Sequence, residues 1–116
     1  PMDEYVAEVE PQWAARLEHV NVDFVCVGHT HVPMDLTVGN CRVINPGSVG
    51  QPRDGDCRAA YAVIEDGVVE FRRVEYDIEQ TIEHMRASGI EEKIVRKANE
   101  VLRAGGNPTA HGLNED

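Results

Sequence analysis

The ten residues from Phe24 to Pro33, FVCVGHTHVP, constrain the fold of this chain more than any other stretch. Asp23 to Val27 reads as a strand with apolar residues on both faces, which places it inside a sheet covered on both sides. Gly28 removes a side chain beside His29 and lets the backbone turn sharply. Pro33 keeps the strand from running on through the middle of a sheet. In an extended strand, residues two apart point to the same side. His29 and His31 are therefore expected to leave the strand's C-terminal end in parallel, where α/β proteins gather their ligand and catalytic groups.

The rest of the chain supplies partners for that strand. Pro11 suits the first turn of a helix, followed by an apolar face of Trp13, Leu17 and Val20 and a stop at Asn21. Asp3 to Glu10 reads as one short helical turn or two. Gly39-Asn40 separates Met34–Val38 from Cys41–Asn45 as a hairpin signal, and Glu65-Asp66-Gly67 separates Ala59–Ile64 from Val68–Tyr76 as a second. The Pro- and Gly-rich stretch from Asn45 to Asp56 reads as a loop. Asp77, with Gln80 three residues on, forms a capping box for a helix that runs to about Ala87 and ends at Gly89. A last helix over Glu91 to Ala104 carries Ile94, Ala98, Val101 and Leu102 on one stripe, with Gly105-Gly106 as its stop. The final ten residues are polar and expected to fray.

Charge and cysteine content narrow the function classes. With 11 Lys and Arg against 21 Asp and Glu, the net charge is -10. This argues against nucleic-acid polymers and anionic membranes, which are bound mainly through Lys and Arg. A small phosphate substrate stays open, because a bound metal can supply local positive charge. Cys26, Cys41 and Cys57 are odd in number and contain no C-x-x-C, as expected of a reduced, cytoplasmic chain. No apolar run approaches the roughly 20 residues of a membrane span.

Two imidazoles at the end of a strand suit one metal ion, or two ions a few ångströms apart. They are equally compatible with loop residues or satisfied core groups, and two ligands fall short of the three or so that a catalytic site needs. His19 on a helix, His84 on a solvated helical face and His111 in the tail read as bland. The H-x-H-x-D-H pattern of metallo-β-lactamase-like hydrolases fails, since Val32, Pro33 and Met34 follow His31. The cupin pattern fails too, since Asp35 is a poor stand-in for its glutamate and no later histidine sits in the required context.

A third pattern fits. VCVGHTHVP followed by INPGSVGQPRDG (residues 44–55) and VEYDIEQTIEHMRASG (residues 74–89) resembles the C-terminal half of calcineurin-like metallophosphoesterases. The likeness is strongest to small bacterial and archaeal phosphodiesterases related to diadenosine tetraphosphatases. The resemblance implies an α/β (α+β) fold that supplies half of a two-sheet sandwich flanked by helices. It implies that His29 and His31 are ligands in a centre of two divalent ions (Mn, Fe, Ni or Zn), in which one ion activates a water and both polarise the phosphoryl oxygens. It implies that the Asn45–Asp54 loop borders the site, with Asn45 and Arg53 as substrate-binding candidates and Ser48 as part of a structural turn.

The departures from the family pattern carry equal weight. No D-x-H occurs, Gly55-Asp56 is followed by Cys-Arg-Ala, Gly39-Asn40 by Cys41 and Gly106-Asn107 by Pro108, so the family's other ligand motifs are missing. PMDEYV resembles the segment just after a further upstream histidine. The expectation is that residues 1–116 form the C-terminal part of a single domain whose N-terminal part is absent. The intact protein would hydrolyse a small phosphoester, and these residues alone would be inactive. Partners would then be the missing half or further copies of the chain, through an apolar strand left with an open edge. The alternative expectation is a non-catalytic metal-binding or oligomerisation module.

Overall fold

The computed structural model describes residues 10–106. The expected helical turns at Asp3 to Glu10 and the polar tail after residue 106 fall almost wholly outside them. The elements in chain order are α1 (Glu10–Arg16), β1 (Phe24–Cys26), β2 (Met34–Val38), β3 (Cys41–Asn45), β4 (Ala59–Glu65), β5 (Val68–Val74), α2 (Ile78–Ala87) and α3 (Glu92–Ala104). They form two small sheets with helices, the mixed α/β class expected.

The first sheet has the order β1-β3-β2. β2 and β3 pair antiparallel from Met34↔Asn45 to Val38↔Cys41, and Gly39 at φ 60° opens the turn between them. The glycine supplies the positive φ that this two-residue loop needs. β1 runs parallel to β3, with Val25 opposite Val43 and Cys26 opposite Ile44. Backbone bonds from Arg42 N–H to the Asp23 carbonyl (2.9 Å) and from Val27 N–H to the Ile44 carbonyl (2.9 Å) extend this pairing one residue at each end. Period-2 alternation then puts Val25, Val43, Met34, Leu36 and Val38 on one face. Trp13 and Leu17 pack against that face, forming the first hydrophobic cluster.

Two expectations are corrected here. β1 is not enclosed on both sides: it lies at a sheet edge, and Cys26 is exposed. Among the described residues no strand pairs with its other edge. The apolar composition of the strand states a need for cover but not which chain provides it. Val20 is also 44% exposed and off the α1 face. Leu17 N–H still reaches the Trp13 carbonyl, but Val20 N–H turns back to the Leu17 carbonyl (3.0 Å). That tighter i to i−3 closure ends the helix and swings Val20 outward.

β4 and β5 form a separate antiparallel hairpin around Asp66 and Gly67, both at positive φ. Glu65 belongs to β4, so the turn is shorter than the three residues expected. α2 starts as expected, with the Asp77 carboxylate accepting from Gln80 N–H (3.0 Å). It packs on α3 around Ile78, Ile82 and Val95, the second cluster, with Ala98 and Leu102 partly buried against them. The residue of α3 that is fully buried is Val95, while Ile94 is 53% exposed. The predicted stripe was therefore rotated by one position at its first residue. With two separate clusters the radius of gyration is 16.8 Å, larger than the roughly 13 Å of a compact chain of this length.

Replacing Ile82 by alanine, at 2% exposure, is expected to cost about 3 kcal/mol by removing the centre of the α2–α3 contact. Urea denaturation followed by far-UV circular dichroism measures this, and a cost under about 1 kcal/mol would show that the second cluster does not hold the helices together.

Candidate functional site

The parallel pairing of β1 with β3 puts the C-terminal ends of both strands side by side, so the loop leaving Val27 starts next to Asn45. Asn45 is 2% exposed and its side chain ties the two ends together. Its amide nitrogen donates to the Gly28 carbonyl (3.2 Å) and to the Thr30 hydroxyl (3.0 Å). Its amide oxygen accepts from Gly47 N–H (2.9 Å). Both amide hydrogens are thus in use on the histidine loop. The Thr30 hydroxyl also accepts from Val32 N–H (3.3 Å), closing a small turn between and after the histidines.

This loop differs from the expected extension of a strand. His29 has φ 80° and His31 φ 64°, both in the left-handed region that non-glycine residues seldom occupy, though histidine enters it more readily than most. Gly28 is not at positive φ, and a Cβ there would meet nothing within 4 Å. The reversal therefore falls on the two histidines rather than on the glycine before them. Strand alternation does not set their direction. Two left-handed residues around one threonine do, held by the Asn45 amide. Backbone strain of this kind, of order 1–3 kcal/mol per residue, persists where surrounding contacts enforce it.

His31 is half-buried, and its Nδ1 is buried with no hydrogen-bond partner among the described residues. His29 is exposed. An orphaned buried imidazole nitrogen carries a desolvation cost of about 1–3 kcal/mol unless something bonds to it. The donor chemistry at His31 therefore fits a metal ligand. Among the described residues, no group of three His, Cys, Asp or Glu side chains converges closely enough to hold an ion.

Arg53 reaches the same loop through its backbone, its N–H donating to the His31 carbonyl (3.2 Å). Its side chain is exposed and has no hydrogen bond or ion pair among the described residues. Arg42, Arg58, Arg72, Arg73, Arg86 and Arg103 are by contrast each paired with a carboxylate. Arg53 thus carries a guanidinium uncommitted among the described residues, on a residue whose backbone meets that of His31. Ser48 does what a turn residue does: its hydroxyl accepts from Gln51 N–H (2.8 Å) and its carbonyl from Ala60 N–H (3.0 Å). Gly47, at φ 90°, threads between Pro33 and Ala60, where a Cβ would lie 3.0 Å from a side-chain carbon of each.

Two contacts that the sequence reading did not foresee hold the far end of the loop, and a third holds the histidine turn. Arg73 of β5 bonds the Asp54 carboxylate and donates to the carbonyls of Arg58 (3.3 Å) and Asp56 (3.5 Å). Gly105, at φ 71° beyond α3, receives the Gly55 N–H on its carbonyl (2.9 Å), and a Cβ on it would stand 2.5 Å from the Asp56 nitrogen. Thr30 is the third. The only traces of these in the sequence were one of three charges on β5, a helix-stop glycine and the variable position of H-x-H. None of them advertises a long-range contact. Arg58 beside Asp56, through side-chain and then backbone hydrogen bonds, holds that carboxylate far below its usual range. Arg72 lowers Glu70 and Arg86 lowers Glu92, each through its side-chain hydrogen bond.

Residues 5–67 match the family described as the calcineurin-like phosphoesterase superfamily domain. The uncharacterized protein MJ0912 of Methanocaldococcus jannaschii is 40% identical, over 53% of this chain and 32% of that protein. The crystal structure of a metallophosphoesterase from Sphaerobacter thermophilus superposes with a TM-score of 0.72 at 35% identity, covering 88% of this chain and 50% of that one. Hypothetical protein PH1004 of Pyrococcus horikoshii OT3 superposes with a TM-score of 0.73 at 23% identity, over 90% of this chain and 42% of that one, which shows a shared fold. The chain spans between a third and a half of the length of these relatives.

Asn45→Ala is expected to lower stability by about 3 kcal/mol, because it strands the Gly28 carbonyl, the Thr30 hydroxyl and the Gly47 N–H in a buried place. The readout is the urea midpoint, together with shifts of the His29 and His31 amide resonances. Wild-type shifts would show that another group holds the loop. The lowered carboxylates give a second expectation. A depressed folded-state pKa adds stability that is present above the ordinary carboxylate value near 4 and is lost as pH falls below it. The urea midpoint should therefore drop between pH 5 and pH 2, by a modest amount that 0.5 M salt reduces, because these pairs are exposed.

Proposed function

Since the chain belongs to the calcineurin-like phosphoesterase superfamily, we propose that it carries the C-terminal part of a metal-dependent phosphoester hydrolase, a phosphodiesterase or phosphatase acting on a small phosphoester. The observation that bears most on this is the buried, unpartnered Nδ1 of His31, on a strained loop that Asn45 fixes from below. His29 and His31 are the residues that would hold divalent metal, and a centre of two ions is the reading adopted. When bound, such ions supply positive charge to the phosphoryl oxygens and acidify an attacking water.

The chain's own residues do the rest. Thr30 and Asn45 keep the two imidazoles in place before any ion arrives, so the cost of ordering them is met in folding. Asn45, with both amide hydrogens engaged, serves the substrate through the loop it holds. Arg53, its guanidinium uncommitted among the described residues, is the side chain assigned to the phosphoryl group, where planar paired N–H donors match two oxygens. The remaining ligands come from polypeptide outside the described residues. Three unpaired cysteines fit a cytoplasmic location.

A second reading, association without catalysis, is favoured by the open edge of β1. Two experiments separate them. In the longest natural polypeptide that contains this chain, Mn²⁺-dependent hydrolysis of a chromogenic phosphodiester should fall at least about a hundredfold in His31→Ala. Arg53→Ala should raise KM about tenfold with a smaller effect on kcat. Full activity of His31→Ala would remove that residue from the site. Enzyme-like turnover by the 116-residue chain alone would instead overturn the supply of ligands from elsewhere.

A further inference from the structure

A concavity remote from β1 lies between α3, the end of α2 and the loop that carries Gly50 and Gln51. It is a groove of about 580 Å³, within the 300–1,000 Å³ range typical of small-ligand sites. Its floor is apolar, made by Met85, Ile94, Ala98, Val101 and Leu102. Its polar side chains are few, and two of them decide the chemistry. Lys93 and Lys97 are the only lysines in the sequence, and both line this groove, one helical turn apart. Neither ammonium has an ion pair or hydrogen bond among the described residues. Glu92, the acid beside Lys93, is occupied by Arg86 on the α2 side (3.1 Å). In a chain of net charge -10, two ammonium groups that no carboxylate pairs among the described residues flank this apolar concavity.

We propose that this groove is a binding site for a free single-chain anionic amphiphile, with its apolar chain along Ile94, Val101 and Met85 and its anionic head on Lys93 and Lys97. The charge complementarity selects an anion, and the apolar floor selects a hydrocarbon body. Ile94, left 53% exposed by a helix that buries Val95 instead, becomes the centre of the contact. Gly50 and Gln51 lie on the loop that also carries Asn45 and Arg53, so occupancy would be felt in the loop around the candidate site. The assignment stands apart from the phosphoesterase reading and does not need it.

The test is titration of the full chain with dodecanoate, below its micelle concentration, followed by calorimetry and amide resonances. Binding is expected to shift Ile94, Ala98 and Gly50. Octanoate should bind at least tenfold more weakly, because four methylenes are lost. Dodecyltrimethylammonium should also bind about tenfold more weakly, as should dodecanoate to the Lys93→Glu/Lys97→Glu double variant. Ile94→Asp, at an exposed position that leaves the helix contact intact, should abolish binding with an unchanged melting curve. Equal binding of the cationic amphiphile, or no effect of either variant, overturns the proposal. So does sedimentation showing that the groove is covered by a second copy, with dimers lost in Ile94→Asp. Binding to anionic vesicles without binding to the free amphiphile overturns it in favour of a membrane surface.

Discussion

The structure around the histidines depends on one side chain, the Asn45 amide. It joins the carbonyl of Gly28 to the hydroxyl of Thr30 and takes the Gly47 N–H on its other end. A buried amide that makes three bonds is worth little net stability beyond its own desolvation, but leaving any of them unmade is expensive. The loop is therefore fixed in a backbone state that His29 and His31 would not choose alone. The backbone downstream follows: where the Pro46–Gly50 turn sits and how Arg53 N–H comes to rest on the His31 carbonyl.

That arrangement rests on strand direction. β1 and β3 are parallel, so both end at the same rim of the sheet, and a side chain from one can reach the loop leaving the other. An antiparallel pairing would have put Asn45 at the far end of β1. The second sheet and the helical hairpin contribute from a distance. Arg73 on β5 and Gly105 beyond α3 both clamp the Asp54–Asp56 segment, the far end of the loop that Asn45 begins. Two hydrophobic clusters without a common core are thus joined partly through polar contacts to a single loop.

Local elements were legible because local physics sets them. Gly39 and Asp66-Gly67 occupy positive φ in tight turns, Asp77 caps α2, and Gly105 ends α3 in the left-handed state, all as their residue types demand. The cover of β1 and the face of α3 were less legible. An apolar residue states that it prefers burial but not against what, so Ile94 and Val95, adjacent and similar, exchanged places as the buried residue.

The sequence by itself determined the order and type of the strands and helices from β1 onward, the hairpins, the family pattern and the presence of two closely spaced imidazoles ahead of an Asn-Pro-Gly loop. These depend on residues near one another in the chain. Only the tertiary structure decided that the histidines lie past the strand in left-handed backbone, that Thr30, Arg73 and Gly105 are among their supports, and that Asn45 holds the loop together. Those facts are contacts between residues 15 to 50 positions apart, and no local preference for φ, ψ or burial encodes which distant donor meets which acceptor.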